Sequence, residues 1–305
     1  MTDFNDIKAV ITDLDDTLIP FAYSYSHYVN TLVTGIAKAA GMSESEVAKG
    51  FNELYLQKGI FQFEDVLNLH KGLANKFPYE DLTKKFEKEI AAAKTVLKNT
   101  CKPEKETLET LQGLKKQGKK LVLFTAGPAS FTVDKLKAAG LEGLFDTIYA
   151  VKDNRDGGQQ EAEAKHPSSE WAKIKLLERF PKSSADTYSK IVDDLKIAPK
   201  EAVMMGDNIY QDIYFAKKAG LNTVLVEGHK KQDKPHAMLG TVLAKHQINK
   251  IKILIQKIRL SSFFNGKGRF ADAVVDYPSG LKKYFTQTTA WLGLTKRMKD
   301  TGKSF

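Results

Sequence analysis

With 305 residues, 42% of them hydrophobic, the chain can bury one large core and a smaller one, and with no run of about eighteen apolar residues no membrane-spanning helix is expected. The formal net charge of +10 is unevenly spread: sixteen of the 47 Lys/Arg but only four of the 37 Asp/Glu lie from His229 onward, so the body before it is near neutral. The single cysteine, Cys101, excludes an intrachain disulfide, and the acidic opening from Met1 to Asp6 lacks the basic-then-apolar profile of a secretory leader; the expected setting is the cytoplasm.

The first element is an apolar strand, Ile7 to Thr12, that stops at Asp13 and delivers Asp13, Asp15 and Asp16 into a loop. In extended backbone Asp13 and Asp15 leave one face while Leu14 points into the core, so one carboxylate can attack and its neighbour can handle protons. An ordinary acidic turn is the alternative on these residues alone. Helical spacing follows in Tyr28, Val29, Leu32, Val33 and Ile36, and Ser43 with Glu46 forms a capping box ahead of Val47, Phe51 and Leu54. Further helices at about 64–75 and 80–98 make residues 21–100 a helical insertion. Its aromatic residues Phe21, Tyr23, Tyr25, Phe61 and Phe63 are candidates for a pocket lining, although most such rings are core.

The strand–helix rhythm resumes with a helix at about 104–117 and a strand, Leu121 to Phe124, that ends at Thr125-Ala126-Gly127. A hydroxyl followed by small residues suits a phosphate cradle, though it is also an ordinary strand-to-helix turn. A helix at 129–140, a strand at 147–151, a polar surface loop at 152–170, a helix at 185–195 and the strand Ala202 to Met205 come next. This strand too ends in acid, Gly206-Asp207-Asn208 with Asp212, ahead of a helix containing Phe215 and Ala216. Strands alternating with helices predict a doubly wound, Rossmann-like parallel α/β sheet, whose sites form beyond the carboxyl ends of its strands. Both aspartate pairs then share one edge.

In order, Asp13-Leu14-Asp15-Asp16-Thr17, Thr125 after its strand, Lys182, and Gly206-Asp207 with Asp212 resemble the four motifs of the haloacid dehalogenase superfamily over residues 7–228. Lys182 is preferred to Lys165, Lys173 and Lys175 because Tyr188 follows it by six positions and Gly206 by two dozen, as is common in that family, although the usual Lys-Pro-Asp-Pro is replaced by Lys182-Ser183-Ser184-Ala185. The resemblance implies a core of residues 1–20 and 101–228, completed at 270–290 by a strand around Asp272 to Asp276, with residues 21–100 as a cap.

It implies a chemistry as well. Asp13 would attack phosphorus to form an aspartyl-phosphate. Asp15 would protonate the leaving oxygen and then deprotonate water. Thr125, Ala126 and Lys182 would hold the phosphoryl oxygens, and Asp13, the backbone of Asp15, Asp207 and Asp212 would hold Mg²⁺. A phosphate oxyanion about 4 Å from one carboxylate is opposed by roughly 4 kcal/mol per charge pair at an effective dielectric of about 20, so an aspartate cluster needs a cation to accept a phosphate. An acid at position 15 favours phosphoryl transfer, because the dehalogenating branch lacks it.

The expected function is a Mg²⁺-dependent phosphatase acting on a small phosphomonoester, a sugar phosphate or nucleotide. The alternatives are a phosphomutase and a binding protein. For the latter, two basic segments matter, a helical insertion at 229–269 with an amphipathic stripe of Ile248, Ile251 and Ile255, and a stretch from Lys282 to Lys299 around Trp291 that runs into the basic tail 291–305. They suit an acidic partner or an anionic membrane, or else dock with a solvated basic face; no nucleic-acid partner is assigned. The histidines His27, His70, His166, His229, His236 and His246 show no zinc spacing and are expected on surfaces or loops.

Overall fold

In a computed structural model of the chain, the structure describes residues 6–58, 63–152, 170–178, 181–227, 273–275 and 278. The sheet strands are β1 (Ala9–Thr12), β2 (Lys120–Pro128), β3 (Thr147–Val151), β4 (Lys173–Leu177), β5 (Ala202–Gly206), β6 (Asn222–Val226) and β7 (Ala273–Val275). They form one sheet in the order β4-β3-β2-β1-β5-β6-β7, with every neighbouring pair parallel. The chain winds outward from β1 in one direction and then returns to β1's other side with β5. That reversal makes the carboxyl ends of β2, β1 and β5 a topological switch point.

Period-two alternation decides which layer each strand residue joins. Val10, Leu121, Leu123, Ile148, Val203 and Met205 pack on one face with Leu111 and Leu114 of α6 (Lys105–Lys116) and Leu136 of α7 (Ala129–Ala139). Ala9, Ile11, Val122, Phe124, Tyr149 and Met204 face the other way, onto Tyr188, Ile191 and Val192 of α8 (Ala185–Leu195) and Ala216 of α9 (Phe215–Lys218). The sheet is thus covered on both sides, as the continuous apolar strands require.

Between β1 and α6 the chain forms a separate helical layer: α1 (Phe21–Ala40), α2 (Glu44–Lys58), α3 (Lys71–Lys76), α4 (Leu82–Lys85) and α5 (Glu87–Thr100). Leu32, Val33 and Ile36 of α1 are buried in one cluster with Ile90 and Ala93 of α5, each large aliphatic contributing about 1.5–3 kcal/mol by its burial. The Ser43–Glu46 box forms as the sequence suggests: Ser43 N–H donates to Glu46 Oε2 at 2.9 Å, and Glu46 N–H to Ser43 Oγ at 3.2 Å. Phe21 and Leu97 pack against both this cluster and the sheet's, so they mark the root of the helical layer.

Several local expectations change. The helix expected at 64–75 is a 3-10 turn, Phe63–Leu69, followed by α3, and that at 80–98 breaks at Phe86 into α4 and α5. His70 is not a surface residue. It is fully buried, its Nδ1 accepting the Leu73 N–H at 3.2 Å and its Nε2 lying 2.9 Å from Val47 O, so it caps α3 from inside the helical cluster. The strand β4 has no counterpart in the sequence reading. The basic segments at 229–269 and 282–299 with the tail 291–305, Phe61, Lys165, His166, His229, His236 and His246 lie outside the described residues.

Candidate active site

Strand register assembles the site. Thr12 is level with Leu123 of β2 and Met205 of β5, so the next residue, Asp13, emerges beside Phe124 on one side and Gly206 on the other. Asp13 N–H donates to Met205 O at 2.9 Å, carrying the β1–β5 ladder one residue past the strand. The chain then folds back on itself. Leu14, fully buried, accepts the N–H groups of Leu18 and Ile19 through its carbonyl at 2.9 and 3.2 Å, and Asp16 takes a left-handed φ of 56°. Asp16 Oδ1 accepts the Ala22 N–H at 2.8 Å, placing a carboxylate at the start of α1, where orphan N–H groups and the helix dipole favour it.

The turn sends the carboxylates of Asp13 and Asp15 to different lysines. Lys182 sits in the 3-10 turn Pro181–Ser183 and is almost wholly buried; its Nζ lies 2.5 Å from Asp13 Oδ1, 2.7 Å from Asp212 Oδ1 and 5.3 Å from the centre of the Phe124 ring. Of its sequence rivals, Lys175 pairs with Asp194 near the end of α8 at 2.5 Å, and Lys173 opens β4. Although burial works against its charge, the carboxylates of Asp13 and Asp212 hold Lys182 firmly protonated, above the usual lysine range.

Asp212 is placed by a six-residue π-helical turn, Ile209–Tyr214. Asn208 caps that turn, its Oδ1 accepting N–H bonds from Tyr210 and Gln211 at 3.0 Å each, while Asn208 N–H donates to Asp212 Oδ2 at 3.0 Å. Gly206 is needed here because a Cβ at that position would lie 2.3 Å from Asp212 Oδ2. Asp13, Asp207 and Asp212 thereby offer carboxylate oxygens all within 4.8 Å of one another. Burial pushes Asp212 up to about 7, with Asp13 and Asp207 adding to the rise and Lys182 opposing it. Three carboxylates against one ammonium leave net negative charge in a buried place. An all-oxygen donor set of this kind fits a hard divalent cation such as Mg²⁺.

Asp15 belongs to a second pair. Its Oδ1 and Oδ2 lie 2.6 and 2.5 Å from Nζ of Lys135 on α7. Burial raises the Asp15 carboxyl and Asp13 adds to the rise, against the pull of Lys135. Nothing in the spacing of the sequence singles out Lys135, which reads as one surface charge among several on a helix.

Thr125 is buried, but it is not the end of its strand: β2 continues to Pro128, with an irregular register against β3 between Phe124 and Pro128. Thr125 Oγ1 accepts the Gly127 N–H at 3.1 Å, while Ala126 is exposed beyond it. The hydroxyl and the small residues therefore stay together at the carboxyl edge, next to Asp13 by strand order.

A model of the haloacid dehalogenase-like hydrolase family matches residues 7–220. Two curated relatives are glyceraldehyde 3-phosphate phosphatases. The one from Methanopyrus kandleri is 26% identical over 74% of this chain and 87% of its own length, and that from Pyrococcus furiosus is 24% identical over 72% and 80%. A crystal structure of a HAD phosphatase from Thermococcus onnurineus is similar at a TM-score of 0.47 and 19% identity, over 91% of this chain and 97% of that one. The chain belongs to the haloacid dehalogenase-like hydrolase family and is an enzyme of it.

Proposed function

We propose that the protein is a Mg²⁺-dependent phosphomonoester hydrolase working through an aspartyl-phosphate on Asp13. The observation that carries this reading is the convergence of Asp13, Asp207 and Asp212 with Lys182 at the carboxyl ends of β1 and β5, while Asp15 stands on the same turn as Asp13. Both curated relatives are phosphatases of a phosphorylated three-carbon sugar, which favours a small sugar phosphate over a nucleotide as substrate. The helices of residues 21–100 act as the cap over this edge, and the cytoplasm is the proposed setting.

In the first step a carboxylate oxygen of Asp13 attacks phosphorus, the ester P–O bond breaks, and the leaving oxygen takes the proton of Asp15. In the second, water attacks phosphorus, its proton passes to Asp15, and the Asp13 carboxylate is released with inorganic phosphate. A carboxyl raised by burial suits the first role, because it retains its proton more readily than an exposed aspartate. Lys182 and Thr125 bind phosphoryl oxygens, and Lys182 also fixes the Asp13 rotamer. Mg²⁺ held by Asp13, Asp207, the backbone of Asp15 and Asp212 supplies charge neutralisation for the incoming phosphate.

The test is phosphate release from a panel of phosphomonoesters, with Mg²⁺ or with a chelator. Turnover that needs Mg²⁺ and disappears in Asp13→Asn supports the reading, and the preferred ester names the leaving group. Turnover unaffected by Asp13→Asn would sink it. Turnover that also requires a sugar bisphosphate would identify a mutase instead.

A further inference from the structure

Lys135 is the one buried cation of the site region, among the described residues, that the mechanism above leaves without a task. Only 3% of its side chain is exposed, and it meets Asp15 through both carboxylate oxygens. Its Nζ lies 4.4 Å from the centre of the Phe21 ring and 4.8 Å from that of Phe131, which box it in where α1 leaves the sheet. On the phosphate side, a Cβ on Gly127 would stand 3.8 Å from the same Nζ and 3.4 Å from Thr125 Oγ1. The ammonium thus sits between the proton-carrying carboxylate, the carboxyl end of β2 and the first aromatic residue of α1.

Stability alone does not account for this arrangement. A buried ion pair repays its desolvation poorly, and apolar side chains of similar volume usually serve a packing role as well or better. What two simultaneous contacts from one ammonium do provide is orientation, since both oxygens of Asp15 are fixed in one plane.

We propose that Lys135 is a positioning residue for Asp15, holding its carboxylate in the orientation from which it serves the leaving oxygen and then the attacking water. This rests on the reading of Asp15 as the proton carrier. Lys135 acts only through Asp15 and touches neither phosphorus nor the phosphoryl oxygens, so its effects must vanish when Asp15 is gone.

The experiment compares Lys135→Met, Asp15→Asn and the double variant on an alkyl phosphomonoester, whose alkoxide needs a proton to leave, and on p-nitrophenyl phosphate, whose phenolate does not. For Lys135→Met, kcat on the alkyl ester should fall by about ten- to a hundredfold, short of the roughly 10²–10⁴ lost with a general acid–base itself, and KM should stay within about twofold. With p-nitrophenyl phosphate the same variant should release a stoichiometric burst of nitrophenolate, followed by slow turnover as the second step lags. The double variant should match Asp15→Asn. A raised KM with kcat retained, or losses that add in the double variant, would overturn the proposal and make Lys135 a substrate-binding or separate group. Should Lys135→Met fail to fold, the double variant, which buries no unpaired charge, still decides by equality with Asp15→Asn or departure from it. If Asp15→Asn itself turns over normally on both esters, the proton-carrier reading fails, which is a different result from normal activity in Lys135→Met alone.

Discussion

The two lysines of this site are buried to the same extent and are bonded at similar distances, yet they stand in opposite electrostatic positions. Lys182 is shared by two carboxylates, with a third nearby, so it is outnumbered; Lys135 has one carboxylate to itself and aromatic walls around it. The first pole has negative charge to spare and calls for a divalent cation. The second is balanced and calls for none. In the proposed mechanism, two aspartates two residues apart take different duties from these surroundings, Asp13 as the nucleophile beside the carboxylate cluster and Asp15 as the proton carrier apart from it.

Removing each lysine should break this comparison most severely on the Lys182 side. Lys182→Met leaves Asp13 and Asp212 buried without their cation, which should cost about 3–5 kcal/mol of stability in the metal-free protein. Much of that loss should be recovered by Mg²⁺, as read by thermal melting with and without chelator. Lys135→Met should cost less, because Asp15 keeps 27% of its side chain exposed, and Mg²⁺ should not restore it.

Next in size is the effect of crowding each pole. Gly206→Ala drives a methyl into Asp212, at 2.3 Å, and should lower the Mg²⁺ response of activity on the order of tenfold or more. Gly127→Ala meets Thr132 and Thr125 oxygens at 3.3 and 3.4 Å, contacts that small shifts relieve, and its effect on activity should be several times weaker. Metal titrations of kcat in the two variants separate these outcomes.

The pH dependence sharpens the contrast further. Asp212 is raised from 3.8 to about 7 in the folded chain, so between those values the folded state holds a proton that the unfolded chain has lost. Stability of the metal-free protein should therefore fall as pH rises through that window. Stabilisation by Mg²⁺, which competes with that proton, should grow over the same range. Melting curves in chelator and in Mg²⁺ from pH 4 to 8 check both signs. The smallest effect belongs to the turn that joins the poles: Asp16→Ala removes the acceptor of the Ala22 N–H and puts Ala at a φ of 56°, for a loss of about 1–2 kcal/mol with little change in Mg²⁺ response.

The same comparison explains what could be read from the sequence. Asp13, Asp207 and Asp212 were legible because an apolar strand ending in acid is a strong break in pattern, and parallel alternation brings such ends together. Lys182 was legible only through its distance from Tyr188 and Gly206. Lys135 was not, since its helix carries a second lysine, Lys137, and nothing local marks one as buried; the single hint is that Thr132, Val133, Leu136 and Ala139 put it on the inward face. The strand β4 escaped because Lys173-Ile174-Lys175 lies at the sheet edge, half exposed, with charges where an interior strand would carry apolar residues. His70 escaped because burial of an imidazole depends on a carbonyl, that of Val47, from another helix.

The most direct test of the division of labour is to acid-quench Asp15→Asn during reaction with p-nitrophenyl phosphate and to map the phosphoryl group by peptide mass spectrometry. The account predicts a phosphorylated peptide containing Asp13, formed at the rate of the nitrophenolate burst and slow to disappear. A burst-free reaction with no phosphate on Asp13 would contradict it.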